Sequence, residues 1–115
     1  MNFSILKKAI GILFFVAATS AVSAKTATCE IYESGKKSFS GKCDFQPLGG
    51  GSFYLMNLDT NKALYRNVMD VTVNVVETGF AEVTGLTRNH ISSRWGKAKR
   101  EGACWVGNDF KICAK

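Results

Sequence analysis

The placement of four cysteines constrains the fold of this chain more than any other feature of the sequence. They stand in two pairs along the chain, Cys29 with Cys43 and Cys104 with Cys113. Each pair flanks a run of turn-forming residues, at 34–37 and at 107–109, so each pair is placed to join the two strands of one hairpin. Four cysteines permit three pairings, and the sequence leaves the other two open.

Zinc coordination is the competing interpretation of the same cysteines. Ligand pairs of structural zinc sites usually stand about two to four residues apart, whereas 13 and 8 residues intervene within these two pairs. Residues 1–24 have the pattern of a secretory signal peptide, and an exported chain meets an oxidising compartment, where paired cysteines form disulfides. We therefore expect two disulfides and no zinc site.

The first hairpin has a predicted register. If the hairpin is centred on Lys36, Cys29 and Cys43 are equidistant from the centre and face each other. That geometry requires an odd-numbered loop of about three or five residues. The sequence thus predicts a direct cross-strand pair at these two positions.

The last hairpin has a predicted register of its own. A two-residue loop at 108–109 pairs Gly107 with Phe110 and, further out, Cys104 with Cys113. Counting outward places the two cysteines at a non-hydrogen-bonded position, where opposed side chains approach most closely. Such a position suits a cross-strand disulfide.

Most of the remaining chain has the pattern of β-strands. Short segments rich in β-branched and aromatic residues are separated by turn residues, and the chain contains one proline. The clearest signal is the alternation of Val71, Val73 and Val75 with polar residues. We expect an all-β fold, a small antiparallel sandwich or barrel of about six to eight strands. The expected strands span residues 26–33, 38–45, 52–58, 63–67, 70–77, 80–86, 103–106 and 110–114.

Large apolar side chains in these segments are expected to form the core, because burying them stabilises a small domain most. No ligand-binding role is assigned to any of them. They are Phe39, Phe45, Phe53, Tyr54, Phe80, Trp105, Val106, Phe110 and Ile112.

The segment from Thr87 to Gly102 differs from the rest because it lacks a period of two. Ser92 or Ser93 is placed to cap a short helix that Gly102 ends, although Gly96 weakens that helix. The sequence predicts a basic loop carrying about two helical turns.

Positive charge is concentrated in the same segment. The chain has 15 lysines and arginines against 9 aspartates and glutamates. Five of the basic residues stand between positions 88 and 101: Arg88, Arg94, Lys97, Lys99 and Arg100. Such a concentration suits an anionic partner, namely an anionic surface, a glycan or a protein of the cell envelope. Nucleic acid is not expected, since the chain is predicted to be exported and its net charge is modest.

Six residues of the segment are candidate binding residues: Arg88, His90, Arg94, Trp95, Lys97 and Arg100. Arginines bind carboxylates or phosphates through paired hydrogen bonds, and the indole ring of Trp95 is suited to stacking on a sugar or a base. The alternative is a solvated loop whose charges aid solubility, with the Trp95 ring packed against the core.

The sequence does not predict an enzyme, a metal site or a cofactor. A hydrolase needs a nucleophile, a base and an orienting group, but the chain has one histidine, His90, and no Gly-x-Ser-x-Gly turn. The acidic residues are scattered along the chain and show no metal-ligand spacing. We interpret His90 as an exposed loop residue.

Residues 1–24 have the three parts of a secretory signal peptide. Lys7 and Lys8 precede an apolar run at 9–18, and small residues follow at 19–24. The apolar run is shorter than the roughly 20 residues that a membrane-spanning helix needs. We therefore expect cleavage before Lys25, a single disulfide-bonded β domain at 25–115, and no membrane span after cleavage.

The C-terminal part of the chain contains two distinctive runs, from Ser93 to Arg100 and from Ala103 to Ala114, and shorter motifs precede them at 41–45 and 50–53. On these residues the chain resembles small uncharacterised exported proteins of Gram-negative bacteria. The resemblance implies a periplasmic location and no particular activity. The general profile of a small, exported, β-rich and disulfide-bonded protein is also similar to that of periplasmic lysozyme inhibitors. By analogy alone, Arg94 or Lys97 of this chain would have the role of an inhibitory residue.

Together these features predict an exported, non-enzymatic binding protein, periplasmic or secreted, that uses its basic loop to engage an anionic partner. A sharper version of this hypothesis is an inhibitor or immunity protein for an envelope hydrolase. The alternative is a small envelope structural or stress protein without a dedicated ligand site.

Overall fold

Eight antiparallel strands, taken in sequence order, close into a barrel in the computed structural model, which describes residues 24–115. The fold is all-β, as the sequence predicted. The strands are β1 (Lys25–Glu33), β2 (Lys36–Gly49), β3 (Ser52–Met56), β4 (Val68–Glu77), β5 (Phe80–Thr87), β6 (Ser92–Glu101), β7 (Cys104–Val106) and β8 (Phe110–Ala114). The predicted signal peptide at 1–24 lies outside the described residues except for its last position.

The barrel closes where β1 pairs with β8 as well as with β2. Each strand is therefore paired on both sides, which removes the exposed strand edges of an open sheet. Turns at 50–51, 78–79 and 102–103 lie at one end, which we call the glycine end. Turns and loops at 34–35, 57–67, 88–91 and 107–109 lie at the other, which we call the loop end.

Inward-facing apolar side chains of all eight strands fill the barrel. Of the residues expected in the core, Phe53, Trp105, Phe110 and Ile112 are buried, and Phe39 and Phe45 pack partly buried against them. Tyr54 and Val106 are half-buried outside this cluster. The prediction was wrong for Phe80, which is 45% exposed, because the alternation in β5 sends its neighbour Ala81 inward instead.

Both disulfides form within hairpins, as predicted. In the last hairpin Cys104 pairs with Cys113 in the predicted register. In the first, Cys29 is opposite Gly41, whereas Cys43 is opposite Ala27. The bond thus joins diagonal neighbours, whose Cα atoms are 5.9 Å apart.

The register of the first hairpin differs from the prediction because its turn has two residues. Ser34 and Gly35 have φ angles of 51° and 80°, and two successive positive angles are typical of the tight hairpin turn that matches strand twist. The extra residue, Ser38, is accommodated in a bulge, since Ile31 pairs with Phe39 but Tyr32 pairs with Lys37.

Two other segments differ from their predicted structure. Residues 63–67 form no strand but a loop with one isolated bridge between Tyr65 and Val68. The third strand ends at Met56 rather than at position 58, because the Asn57 side chain accepts a hydrogen bond from Asp59 N–H and donates one to the carbonyl of Ala63. These bonds turn the chain away from the sheet.

The predicted basic loop with a short helix is wrong, because residues 92–101 form strand β6. β6 pairs with β5 over seven registered positions and with β7 over three. A loop there would leave the backbone groups of both neighbours without partners. No helix long and apolar enough to span a membrane occurs within residues 24–115.

Candidate binding surface

A β-bulge in β6 determines which way its side chains point. Thr84 of β5 pairs with Arg94 and Val83 pairs with Gly96, so Trp95 is the extra residue. Gly96 has a φ of 118°, an angle that glycine adopts readily and other residues rarely do. The bulge shifts the alternation by one residue, so Arg94 and Lys97 lie on the same outer side of the strand.

The outer side of β6 carries three basic residues, Arg94, Lys97 and Lys99, which we call the basic wall. Lys97 and Lys99 are exposed on either side of the buried Ala98. The Arg94 side chain is 77% exposed, and one of its terminal nitrogens donates to a Glu82 carboxylate oxygen at 3.1 Å. Glu82 is also the strand partner of Lys97. The Glu82 carboxylate thus has Arg94 and Lys97 as its neighbours on β6.

An exposed apolar patch borders the basic wall. Phe80 is 45% exposed and is the strand partner of Lys99, and Val76 is 57% exposed. These two residues line a shallow hollow of about 290 Å³ together with Lys97 and the carboxylates Glu77 and Glu82. Apolar side chains next to exposed cations are typical of surfaces that bind other proteins.

Three members of this surface, Lys99, Phe80 and Val76, were not among the predicted binding residues. Lys99 was counted among the basic residues of the segment but was not chosen as a contact. Phe80 was assigned to the core on hydrophobicity alone. The strict alternation of Ala81, Val83 and Gly85, which are all buried, was the signal that places Phe80 on the outer side.

Trp95 points away from the basic wall. Its ring packs edge-to-face on Phe110 with the ring centres 5.7 Å apart, and it is half-buried against the core. It also lies over Gly85, where a Cβ atom would come within 2.8 Å of the indole nitrogen. These contacts match the alternative interpretation, in which the Trp95 ring packs against the core.

The remaining predicted binding residues lie in two further places. Arg88 and His90 are exposed in the β5–β6 turn at the loop end, where the N–H of Arg88 donates to the carbonyl of Asn67 at 3.0 Å. Arg100 lies at the glycine end, with its guanidinium 5.9 Å from the ring centre of Trp105. The structure therefore brings Arg94 and Lys97 together on the outer side of β6. It places Arg88 and His90 in one turn and Arg100 at the opposite end, while Trp95 lines a hollow at the loop end beside Arg94.

A hydrogen-bonded carboxylate organises the loop end. Glu33 accepts hydrogen bonds from the Ser38 hydroxyl at 2.7 Å, the Tyr65 hydroxyl at 2.9 Å and the Arg66 guanidinium at 2.7 Å. Burial alone would raise the pKa of Glu33, but the bonds from Ser38 and Tyr65 and the charge of Arg66 lower it overall. Glu33 is therefore ionised and attaches the loop at 57–67 to the barrel.

The same contacts act in the opposite direction on Tyr65. Burial of its ring raises the pKa of the phenol, and the hydrogen bond to the Glu33 carboxylate raises it further. The phenol is thus a fixed hydrogen-bond donor, which suits a structural role.

Reactive groups are few in the part of the chain that the structure describes. All four cysteines are in disulfides. No group of three or more histidine, cysteine, aspartate or glutamate side chains is placed to hold a metal ion within residues 24–115. The arrangement that the geometry does provide is the charged and apolar surface of β4, β5 and β6.

Comparison of the chain with protein-family models, with curated proteins and with solved structures found no match.

Proposed function

We propose that this chain is an exported, non-enzymatic binding protein whose basic wall engages an acidic surface of a partner protein in the cell envelope. The observation that supports this most is the bulge at Trp95 and Gly96, which aligns Arg94 with Lys97 and Lys99 beside the exposed Phe80. A strand without the bulge would divide these cations between the two sides of the sheet.

The composition of the surface favours a protein over a simple anion. Phe80 and Val76 offer apolar area that gains from being covered, while the cations around them select and orient an acidic partner. An inorganic anion would use the charges alone and leave the apolar patch in water. A partner protein uses both.

Two observations support export. Residues 1–24 have the pattern of a signal peptide, and the two disulfides suit an oxidising, extracytoplasmic environment. The periplasm is the compartment that we propose, with secretion as the alternative address.

An inhibitor or immunity protein for an envelope hydrolase is the sharper form of this proposal. Many cell-wall hydrolases carry catalytic carboxylates in a cleft. The cations of the basic wall lie on a strand and not on a projecting loop, so the wall would cover the rim of such a cleft. Strongly basic lysozymes would be repelled at long range, so the favoured partner has an acidic rim.

The proposal is tested with two charge-matched triple variants, each exported from the full chain. One changes Arg94, Lys97 and Lys99 to Gln. The control changes three exposed lysines elsewhere, and thus has the same net charge: Lys36, Lys42 and Lys62. Each protein is used to capture partners from an envelope extract at several salt concentrations.

We expect one protein to be captured by the unchanged chain and by the control, and to be lost with the basic-wall variant. Its retention should fall as salt rises, because mobile ions screen exposed charges. Equal capture by both variants would show that net charge alone is responsible and would contradict the proposal. Capture by none of the three would favour an envelope structural or stress protein.

A further inference from the structure

The glycine end of the barrel contains a mouth that includes none of the three cations of the basic wall and shares only Val76 and Glu77 with the hollow beside it. Two hollows open there, of about 410 Å³ and about 250 Å³. Both are lined by Gly51, Arg100 and Trp105, so they are two parts of one mouth. Small-molecule pockets usually span roughly 300–1,000 Å³, and the mouth is therefore large enough for a small ring compound.

Aromatic rings form the inner surface of this mouth. Phe45 and Phe53 stack with their ring centres 4.8 Å apart and line the smaller hollow, and Trp105 lines both. The turn at 50–51 closes one side of the mouth. Both of its residues are glycines, with positive φ angles of 63° and 88°, so this side presents backbone and no side chains. Phe53 and Trp105 are only 6% and 5% exposed, so a flat apolar molecule would meet mainly the half-buried Phe45 ring on one side and open backbone on the other.

Two cations stand at the rim. The Arg100 guanidinium lies 5.9 Å from the ring centre of Trp105, and the Lys25 ammonium lies 5.6 Å from that of Phe45. Only the Nε of Arg100 has a described partner, the carbonyl of Gly102 at 3.1 Å. Among residues 24–115, neither cation has a carboxylate within ion-pair distance.

The charge of the mouth also limits the ligand. The terminal nitrogens of Arg100 are arranged to donate two parallel hydrogen bonds, which matches the geometry of a carboxylate. Glu77 lines the larger hollow and would repel any negative charge that a ligand carries beyond the carboxylate held by Arg100. A ligand with one carboxylate and one apolar ring system fits both conditions.

We propose that this mouth is a binding site for small aromatic monocarboxylates, with the carboxylate on Arg100 and the ring against Phe45, Phe53 and Trp105. Lys25 adds long-range attraction at the rim. The ligand-contacting residues of the site lie at the barrel end and not on the outer side of β6, although Val76 lines both the mouth and the apolar patch beside the basic wall.

The test is an NMR titration of the exported, ¹⁵N-labelled protein with 2-naphthoate, and in parallel with the uncharged 2-naphthalenemethanol. The two tryptophans provide an internal comparison, because Trp105 lines the mouth and Trp95 packs at the loop end. Arg100→Gln and Lys25→Gln remove the rim charges one at a time. Arg88→Gln, at the opposite end, is the matched control.

We expect naphthoate to shift the amide signals of Gly50, Gly51 and Gly102 and the indole N–H of Trp105, leaving that of Trp95 in place. Binding should weaken at least about tenfold in Arg100→Gln and for the uncharged alcohol, because both charge-assisted hydrogen bonds between Arg100 and the carboxylate are lost. It should weaken less in Lys25→Gln and remain unchanged in Arg88→Gln.

Several results would overturn the proposal. They are an absence of shifts at the mouth at millimolar naphthoate, shifts centred on Trp95 or the basic wall, and equal binding of the acid and the alcohol. If Arg100→Gln proves unfolded by its amide spectrum, the comparison of acid with alcohol on the unchanged protein and the Lys25→Gln variant still decide the matter. Loss of partner capture in the basic-wall variant would leave this site unaffected.

Discussion

Arg94 and Lys97 are three residues apart in a β-strand, yet they lie on the same side of it, because Trp95 and Gly96 together oppose Val83. Odd spacings normally place side chains on opposite sides of a sheet. The bulge therefore creates the basic wall, and its conformation rests on Gly96 with a φ of 118°.

Gly96→Ala tests this relationship. No atom would obstruct the added Cβ, so the expected effect is backbone strain alone, about 1–3 kcal/mol of lost unfolding free energy. Chemical denaturation measures it, with the exposed Ser92→Ala of the same strand as the control. An unchanged stability would show that the bulge does not depend on glycine.

Gly85→Ala tests whether Trp95 is a packing residue. A Cβ at position 85 would lie 2.8 Å from the indole nitrogen of Trp95, so the ring must shift, at a cost of about 1–3 kcal/mol. The cost should be much smaller in a Trp95→Leu background, since residues in contact are energetically coupled. A folded Trp95→Leu variant should still capture the partner. Loss of capture by a folded Trp95→Leu variant would show that Trp95 is a binding residue after all.

The Glu33 contacts predict a loss of stability in acid. The pKa of Glu33 is lowered below its ordinary value of 4.5, so its stabilisation is complete above that pH and disappears as pH falls through the lowered pKa. Glu33→Gln should cost about 0.5–1 kcal/mol at pH 7, because the partly exposed carboxylate is weakened by solvent. Urea denaturation at pH 7 and pH 3 should show that the unfolding free energies of the two proteins differ less at pH 3 than at pH 7. A constant difference would contradict this account.

The raised pKa of the Tyr65 phenol predicts a loss of stability in alkali. The pKa of its phenol is raised above the ordinary value of 10.0, so the unfolded chain loses its proton first and stability falls as pH rises above 10. Tyr65→Phe removes the titrating group and should flatten the profile between pH 9 and pH 11. Denaturation midpoints of both proteins across this range provide the test. Parallel profiles would show that other groups cause the alkaline loss.

The two disulfides should differ in their contribution to stability. In the entropic model each disulfide stabilises the folded state by about 3 kcal/mol, because it restricts the unfolded chain. Cys29 and Cys43 are fully buried, so replacing both by Ala also leaves a cavity in the core. We expect the Cys29→Ala/Cys43→Ala variant to be less stable than Cys104→Ala/Cys113→Ala, as measured by thermal unfolding. The reverse order would contradict the placement of the first pair inside the barrel.

Local signals were sufficient to predict much of this fold. The register of the last hairpin follows from a two-residue loop at 108–109, and β4 follows from the alternation of Val71 and Val73. Both depend on neighbouring residues alone. The pairing of each cysteine within its own hairpin was predictable for the same reason.

Features that depend on barrel closure were not predictable. β6 was interpreted as a loop because its bulge interrupts the alternation, and only pairing with both β5 and β7 makes it a strand. The register of the first hairpin was missed for a local reason instead, because its turn has two residues and the bulge beside Ile31 accommodates the extra one. Consequently the basic residues were identified from the sequence, but which of them share a side was not, and Arg100 was grouped with cations that lie elsewhere.

The central claim, that the outer side of β6 contacts a partner, is tested most directly by photo-cross-linking in the envelope. A benzophenone amino acid replaces Phe80 in one protein and Lys42, an exposed residue of β2 on the opposite wall, in another. We predict a single cross-linked partner from position 80, lost when Arg94, Lys97 and Lys99 are changed to Gln, and none from position 42. Equal cross-linking from both positions, or from position 42 alone, would contradict the claim.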